Sequence, residues 1–190
     1  DVDRSRGLGD VYKRQAWAGS AIICDEYKYL WQGIGKADSI VFNPHKWLGA
    51  QFDCSVHFLK DMNVQKNTLS LTPEYLKTSG VEGITNLSDY TIPLGRRFRA
   101  LKLWFLIRSE GLSGIRKLIR DHINWSEELF HKIKLLKNIE VITEPVLGLF
   151  TFRFINQNNE NINELNEKIV KEINDEGLIY LTPTKVGEKF

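Results

Sequence analysis

The sequence predicts an α/β fold, with one larger layered domain followed by a small α+β lobe. Three observations predict it. Ser39-Ile40-Val41-Phe42 is an apolar run of strand length that stops at an Asn43-Pro44 turn. Two stretches, 94–109 and 113–136, carry apolar residues at helical spacing. Beyond Lys137 the rhythm becomes strand, strand, helix, strand.

Taken in order, Ile22 to Ile34 reads as a short amphipathic helix. Ile23, Tyr27, Leu30, Trp31 and Ile34 recur on one face, Asp25 suits the positive end of the helix dipole, and Gly33 and Gly35 stop it. Ser39 to Asn43 is a buried strand, and Cys54 to Leu59 is a second one, partly β-branched. Between them proline turns the chain, because it cannot extend a central strand. From about Lys60 to Thr91 periodicity is lost among Asn63, Asn67, Pro73, Gly80, Gly83 and Asn86, the composition of a mobile lid or binding loop. A helix from Pro93 or Leu94 to about Ser109 is apolar on most sides, which implies burial at a domain or subunit contact, and Gly111 ends it. Ser113 is the candidate N-cap of the next helix, whose stripe is Ile115, Leu118, Ile119, Ile123, Phe130 and Ile133. Ile139 to Thr143 and Leu149 to Phe154 are strands, the second alternating Phe150, Phe152 and Phe154 with Thr151 and Arg153. After a polar turn at Asn156 to Asn161, Ile162, Leu165, Ile169, Val170 and Ile173 mark a last helix, and Leu178 to Leu181 a last strand. The lobe boundary is expected near Lys137.

Charge and cysteine content narrow the function classes. Twenty-six basic residues against 24 acidic ones leave a net charge of +2, too little for a basic face that would bind nucleic acid. Arg96, Arg97, Arg99 and Lys102 cluster, but Phe98 and Trp104 interleave with them, so bracing ion pairs are the expected role. Two cysteines, Cys24 and Cys54, make no disulfide framework, which points to a reducing, cytoplasmic setting. No run approaches the roughly 20 apolar residues of a membrane span. His57, His122 and His131 have no cysteine or carboxylate at ligand spacing, and no metal site is expected. Gly7-Leu8-Gly9 is too short for a dinucleotide fingerprint.

The chemistry concentrates at Asn43-Pro44-His45-Lys46-Trp47. The turn follows the carboxyl end of a strand, where open α/β sheets bind ligands. An amine attacks a carbonyl only when neutral, and a desolvated pocket disfavours the ammonium form. His45, Trp47 and Phe52 are the residues expected to supply that environment, and a Schiff-base lysine is its known use.

Ala16-Trp17-Ala18-Gly19-Ser20-Ala21, then Ala37-Asp38-Ser39 through Lys46-Trp47-Leu48, then Phe52-Asp53-Cys54-Ser55, resemble the pyridoxal-phosphate-dependent group II amino acid decarboxylases. Among them the chain is most similar to the aromatic-L-amino-acid decarboxylases. The block from Ile92-Pro93-Leu94-Gly95-Arg96-Arg97-Phe98-Arg99 to Trp104-Phe105 resembles the same family at the same distance downstream. The likeness runs from Ala16 to the C-terminus and is stronger up to Gly111.

This resemblance implies an aspartate-aminotransferase-like fold of which the chain holds the C-terminal part. Residues 16–136 would end the large cofactor-binding domain, and 137–190 would form a truncated small domain. Residues 1–15 match nothing in the family and read as a foreign leader from an assembly or cloning junction. The implied cofactor is pyridoxal 5'-phosphate, the substrate an L-amino acid, and the assembly a cytoplasmic homodimer with shared active sites. Lys46 would be the covalent tether, with His45, Asn43 and Ser20 at the cofactor, Asn43 near its phosphate, and Phe52 at the substrate side chain. Two departures stand out. The family's aspartate for the ring nitrogen falls at Arg14, which cannot make that pair. The family's proton-donating loop tyrosine falls at Leu87, with Tyr90 three residues later as the catalytic candidate. Relatives with an apolar residue at that place turn to aldehyde formation. The rival readings are therefore an aromatic aldehyde synthase and a non-catalytic part of the scaffold.

Overall fold

The structure, a computed structural model, describes residues 12–14, 16–70, 85–156 and 161–190. It divides into two compact units, Asp1–Arg116 and Lys117–Phe190. That division falls inside the long helix, before the boundary expected near Lys137. The centre of the expected loop, 71–84, and most of the polar turn, 157–160, lie outside the described residues, as do 1–11 and Gln15 of the expected leader.

In the first unit three strands form one sheet in the order β1 (Tyr12–Arg14), β2 (Ser39–Phe42), β3 (Val56–Leu59). β1 runs parallel to β2, pairing Tyr12 with Ser39 and Arg14 with Val41. Three residues of the stretch read as a leader therefore join the sheet through their backbone. β3 returns antiparallel to β2, with Phe42 opposite Val56 and Ser39 opposite Leu59. Both strands expected around the lysine turn are present, the second starting two residues late.

The helix expected over Ile22 to Ile34 is instead a chain of 3-10 turns at Ala18–Ile23, Asp25–Trp31 and Ile34–Lys36. Tertiary packing overrides the periodicity. Cys24 is extended (φ −92°, ψ 119°) and fully buried, with its thiol directed at the Arg116 carbonyl oxygen at 3.9 Å, so the α-helix cannot pass through it. Arg116 Nε donates to Ile23 O at 2.6 Å and fixes the same break. A short helix α1 (Met62–Leu69) lies within the segment expected to be irregular; the Asp61 carboxylate caps it by accepting from Asn63 N–H at 2.9 Å. It buries no residue, which is why apolar periodicity did not mark it.

Helix α2 (Arg99–Lys134) begins later than Pro93 or Leu94. Its entry is held by charge: Asp53 accepts from Arg99 Nε at 2.9 Å and from Arg97 Nη2 at 2.5 Å. Gly111 breaks the element with φ 65° and ψ 170°, a conformation only glycine adopts readily, where the sequence placed a helix end.

In the second unit Ile119, Ile123 and Phe130 are buried along α2. β4 (Ile139–Val146) and β5 (Leu149–Phe154) form an antiparallel pair, with Glu140 directly opposite Arg153. Arg153 Nη2 meets Glu140 Oε2 at 2.5 Å and Lys189 Nζ reaches Oε1 at 2.5 Å. Phe150, Phe152 and Phe154 share one face, as alternation predicts, with ring centroids 5.8 and 6.1 Å apart, and Phe130 meets Phe150 edge-on at 5.7 Å.

Helix α3 (Ile162–Glu176) contributes two asparagines that act as backbone surrogates. Buried Asn166 accepts from Phe154 N–H and donates to Phe154 O, both at 2.8 Å. Asn174 does the same to Leu181, at 2.7 and 2.9 Å. The strand expected at Leu178–Leu181 does not form. Leu178, Ile179 and Tyr180 are exposed, and the Asn174 carboxamide takes the ladder groups of Leu181.

Two outcomes follow from these contacts. Replacing Asn166 with alanine removes the partner of both part-buried main-chain groups of Phe154, so the chain should lose about 1–2 kcal/mol in urea unfolding and the Phe154 amide should lose hydrogen-exchange protection. Asp53 is held below its ordinary carboxylate value of 3.8, first by the hydrogen bond from Arg99, with the Arg99 and Arg97 charges adding. A depressed carboxylate stabilises the fold above its ordinary pKa, and that stabilisation disappears as pH falls through the lowered value. The stability gap between the native chain and Asp53→Asn should accordingly be full at neutral pH and close below about pH 4; parallel curves across pH 3–7 would contradict the ion pair.

Candidate functional site

The lysine turn is built by main-chain hydrogen bonds that leave it little freedom. Asn43 N–H donates to Ala16 O at 3.0 Å, tying the turn to the Ala16–Ala21 segment. Lys46 N–H donates to Asn43 O at 3.0 Å, Gly49 N–H to Lys46 O at 3.1 Å, and Ala50 N–H to Pro44 O at 3.1 Å. Pro44 is fully buried. Trp47 is buried and stacks on Trp17 with centroids 3.9 Å apart and planes 5° apart, so the two segments share a rigid aromatic contact. The sequence's placement of Lys46 just past the carboxyl end of a strand corresponds to what the structure contains.

Lys46 itself is exposed, and its amine has no hydrogen-bond or ion-pair partner among the described residues. The desolvated pocket expected around it is not formed by these residues. Trp47 is turned into its stack with Trp17, and Phe52 is 75% exposed. The braced turn leaves that amine without a partner among the described residues, and attack on a carbonyl group would require its neutral form.

His45 is held by the returning strand. Its Nδ1 lies 2.6 Å from Cys54 O and 2.9 Å from Cys54 N. One tautomer donates to the carbonyl oxygen; the other accepts from the amide. In either, Nε2 is the edge left for a ligand. Phe52 packs against the His45 ring edge-on at 4.9 Å, which places the one expected substrate-contacting residue beside one expected cofactor-contacting residue. The Ser55 hydroxyl donates to Asn43 Oδ1 at 2.8 Å. Asn43, His45, Lys46, Phe52 and the Asp53-Cys54-Ser55 return thus form one cluster.

Ser20 is 2% exposed, and its Oγ has no hydrogen-bond partner among the described residues. A buried hydroxyl without a partner carries a desolvation penalty that a bound polar group removes. Tyr90 is positioned separately. It ends a 3-10 turn, Leu87–Tyr90, and its main-chain oxygen accepts from Gln65 Nε2 at 2.8 Å on α1. Leu87 and Tyr90 line a cavity of about 1160 Å³ together with Ser55, His57, Arg97 and Arg99; Lys46 and His45 are not among its lining residues. Sequence reasoning overlooked Cys54, Ser55 and Asp53 as supports of the site, although they stand next to one another in a block whose resemblance was evident. No group of three or more potential metal ligands occurs among the described residues.

The pyridoxal-dependent decarboxylase conserved domain matches residues 14–155. The aromatic-L-amino-acid decarboxylase of Mus musculus is 41% identical over 177 residues, which cover 92% of this chain and 36% of that protein. The crystal structure of Oryza sativa TDC with PLP and tryptamine superposes with a TM-score of 0.89 at 30% identity, covering 96% of this chain and 39% of that one. Rhodiola rosea 4-hydroxyphenylacetaldehyde synthase superposes with a TM-score of 0.81 at 26% identity, covering 94% and 36%. The chain therefore spans little more than a third of the proteins it matches, and across that span its fold is theirs. With the conserved domain covering most of its length and the lysine turn in place, the chain belongs to the pyridoxal-dependent decarboxylase family.

Proposed function

We propose that this chain is the C-terminal part of a pyridoxal-phosphate-dependent carboxy-lyase that converts an aromatic or related L-amino acid to its amine and CO2. The observation that carries the reading is the Lys46 amine, unpaired on a turn fixed at both ends just beyond β2. The residues present fit the cofactor. Asn43 keeps both amide N–H groups available for an anionic phosphate, Lys46 offers an amine to an aldehyde, and Ser20 has a buried hydroxyl in need of a partner. Arg14 stands where the resemblance places an aspartate, and its side chain lies outside the described residues. When bound, pyridoxal phosphate supplies the electron sink for the pair released as CO2 departs.

The chain's own residues divide the remaining work. Lys46 Nζ must shed a proton before it can act as a nucleophile, and the turn presents it without a competing carboxylate. His45, clamped through Nδ1, offers Nε2 at a fixed angle. Phe52 gives an aromatic surface beside that ring, suited to an aromatic side chain. Tyr90 carries the phenolic proton for return to the substrate carbon. The complete protein is a cytoplasmic homodimer with shared sites in this reading. Exposed Phe98, Leu101, Trp104 and Phe105 on and before α2 support the assembly, and two unlinked cysteines support the compartment.

A second reading, the aldehyde synthase, is favoured by Leu87 at the place of the loop tyrosine. In a 3-10 turn residues three apart eclipse one another, separated by about 6 Å of rise. Tyr90 therefore lies on the same face as Leu87, one turn along, and a one-turn displacement of this segment would exchange the two.

Adding pyridoxal phosphate to the complete protein should produce an absorbance band near the visible edge that Lys46→Ala abolishes. A band that survives the substitution would remove Lys46 from the role, and no band at all would leave the non-catalytic reading. Product analysis separates the two enzymes. A decarboxylase yields amine and CO2, whereas the synthase consumes O2 and releases aldehyde, CO2, ammonia and hydrogen peroxide. Leu87→Tyr should raise the amine fraction, and an unchanged product ratio would show that this position does not set the outcome.

A further inference from the structure

The main chain of Asn43 is fixed on both sides, its N–H bonded to Ala16 O and its carbonyl accepting from Lys46 N–H, each at 3.0 Å. What remains is rotation of its side chain. The Ser55 hydroxyl restrains that rotation by donating to Asn43 Oδ1 at 2.8 Å. The Asn43 side chain makes no other hydrogen bond among the described residues, so both N–H groups of Nδ2 face away from Ser55 and stay available.

Ser55 is itself held in place. The preceding Cys54 brackets the His45 ring with both main-chain groups. The following Val56 pairs with Phe42 in the sheet. Two residues upstream, Asp53 is bound by Arg97 and Arg99. The hydroxyl thus comes from an exposed residue just before β3 whose neighbours on both sides are tied, and it acts on the side chain of the turn.

We propose that Ser55 is a positioning residue that orients the Asn43 carboxamide so that its N–H groups face the phosphate of the cofactor. The proposal rests on the cofactor reading above. A reversed carboxamide would aim Oδ1 at a dianion, replacing a charge-assisted hydrogen bond with repulsion. Ser55 acts on the phosphate end alone and leaves the Lys46 amine untouched, which separates its role from a general contribution to the fold.

The test compares pyridoxal phosphate with pyridoxal, which has the same aldehyde and ring but no phosphate. Equilibrium binding to the complete protein is followed by quenching of tryptophan fluorescence. Ser55→Ala should weaken pyridoxal phosphate binding roughly tenfold while pyridoxal binding stays the same. Ser55→Thr, which keeps the hydroxyl, should restore it, and Ser55→Ala should have no further effect once Asn43 is alanine. Equal weakening for both ligands, no weakening for either, a threonine variant as weak as the alanine one, or additive losses with Asn43→Ala would each overturn the proposal. A native protein that binds neither compound would overturn the cofactor reading and this proposal with it.

Discussion

The antiparallel register of β2 and β3 is the constraint on which the rest of the site depends. With Phe42 opposite Val56, the chain leaving β2 must return within one strand spacing, about 4.8 Å. Everything between is a closed loop whose outgoing limb carries Asn43, His45 and Lys46 and whose returning limb carries Asp53, Cys54 and Ser55. The two limbs then bond across the loop, main chain to ring at His45 and side chain to side chain at Asn43. A shift of one residue in that register would turn Ser55 and Asn43 to opposite faces and dissolve the arrangement.

Two further ties keep the loop from moving as a hinge. Asp53 binds Arg97 and Arg99 at the entry of α2, and the neighbouring Cys54 directs its thiol at Arg99 O, the first carbonyl of that helix, at 3.8 Å. On the other flank Trp17 and Trp47 stack face to face. The Lys46 amine is thus carried on a surface tied on two sides, although the amine itself is exposed. A reaction between a side chain and a bound partner depends on alignment within a fraction of an ångström, and such ties are what supply it.

What was legible in the sequence, and what was not, divides along physical lines. The strands around the lysine, the Gly111 break and the phenylalanine alternation of β5 were readable because local pattern and tertiary structure agree there. The segment 22–34 was misread because Cys24 is buried and extended, a demand set by packing against distant Arg116. The start of α2 was misread because a carboxylate far back in the chain captures Arg97 and Arg99. Leu178–Leu181 has the composition of a strand but finds a side chain where a neighbouring strand would be needed. The position of Lys46 just past a strand end was visible from its neighbours in sequence; the exposure of its amine was not, because burial is decided by groups remote along the chain.

A two-stranded sheet has open flanks, and an open flank invites another molecule's backbone to zip onto it. Asn166 intervenes at that point. Its carboxamide occupies the outward N–H and C=O of Phe154, the rung at the end of β5 where an incoming polypeptide would otherwise gain its first pair of bonds. Since Asn166 also donates to Ile162 O at 2.8 Å on its own helix, the plug is anchored and does not swing away. One polar side chain therefore satisfies three main-chain groups, two on β5 and one on its own helix.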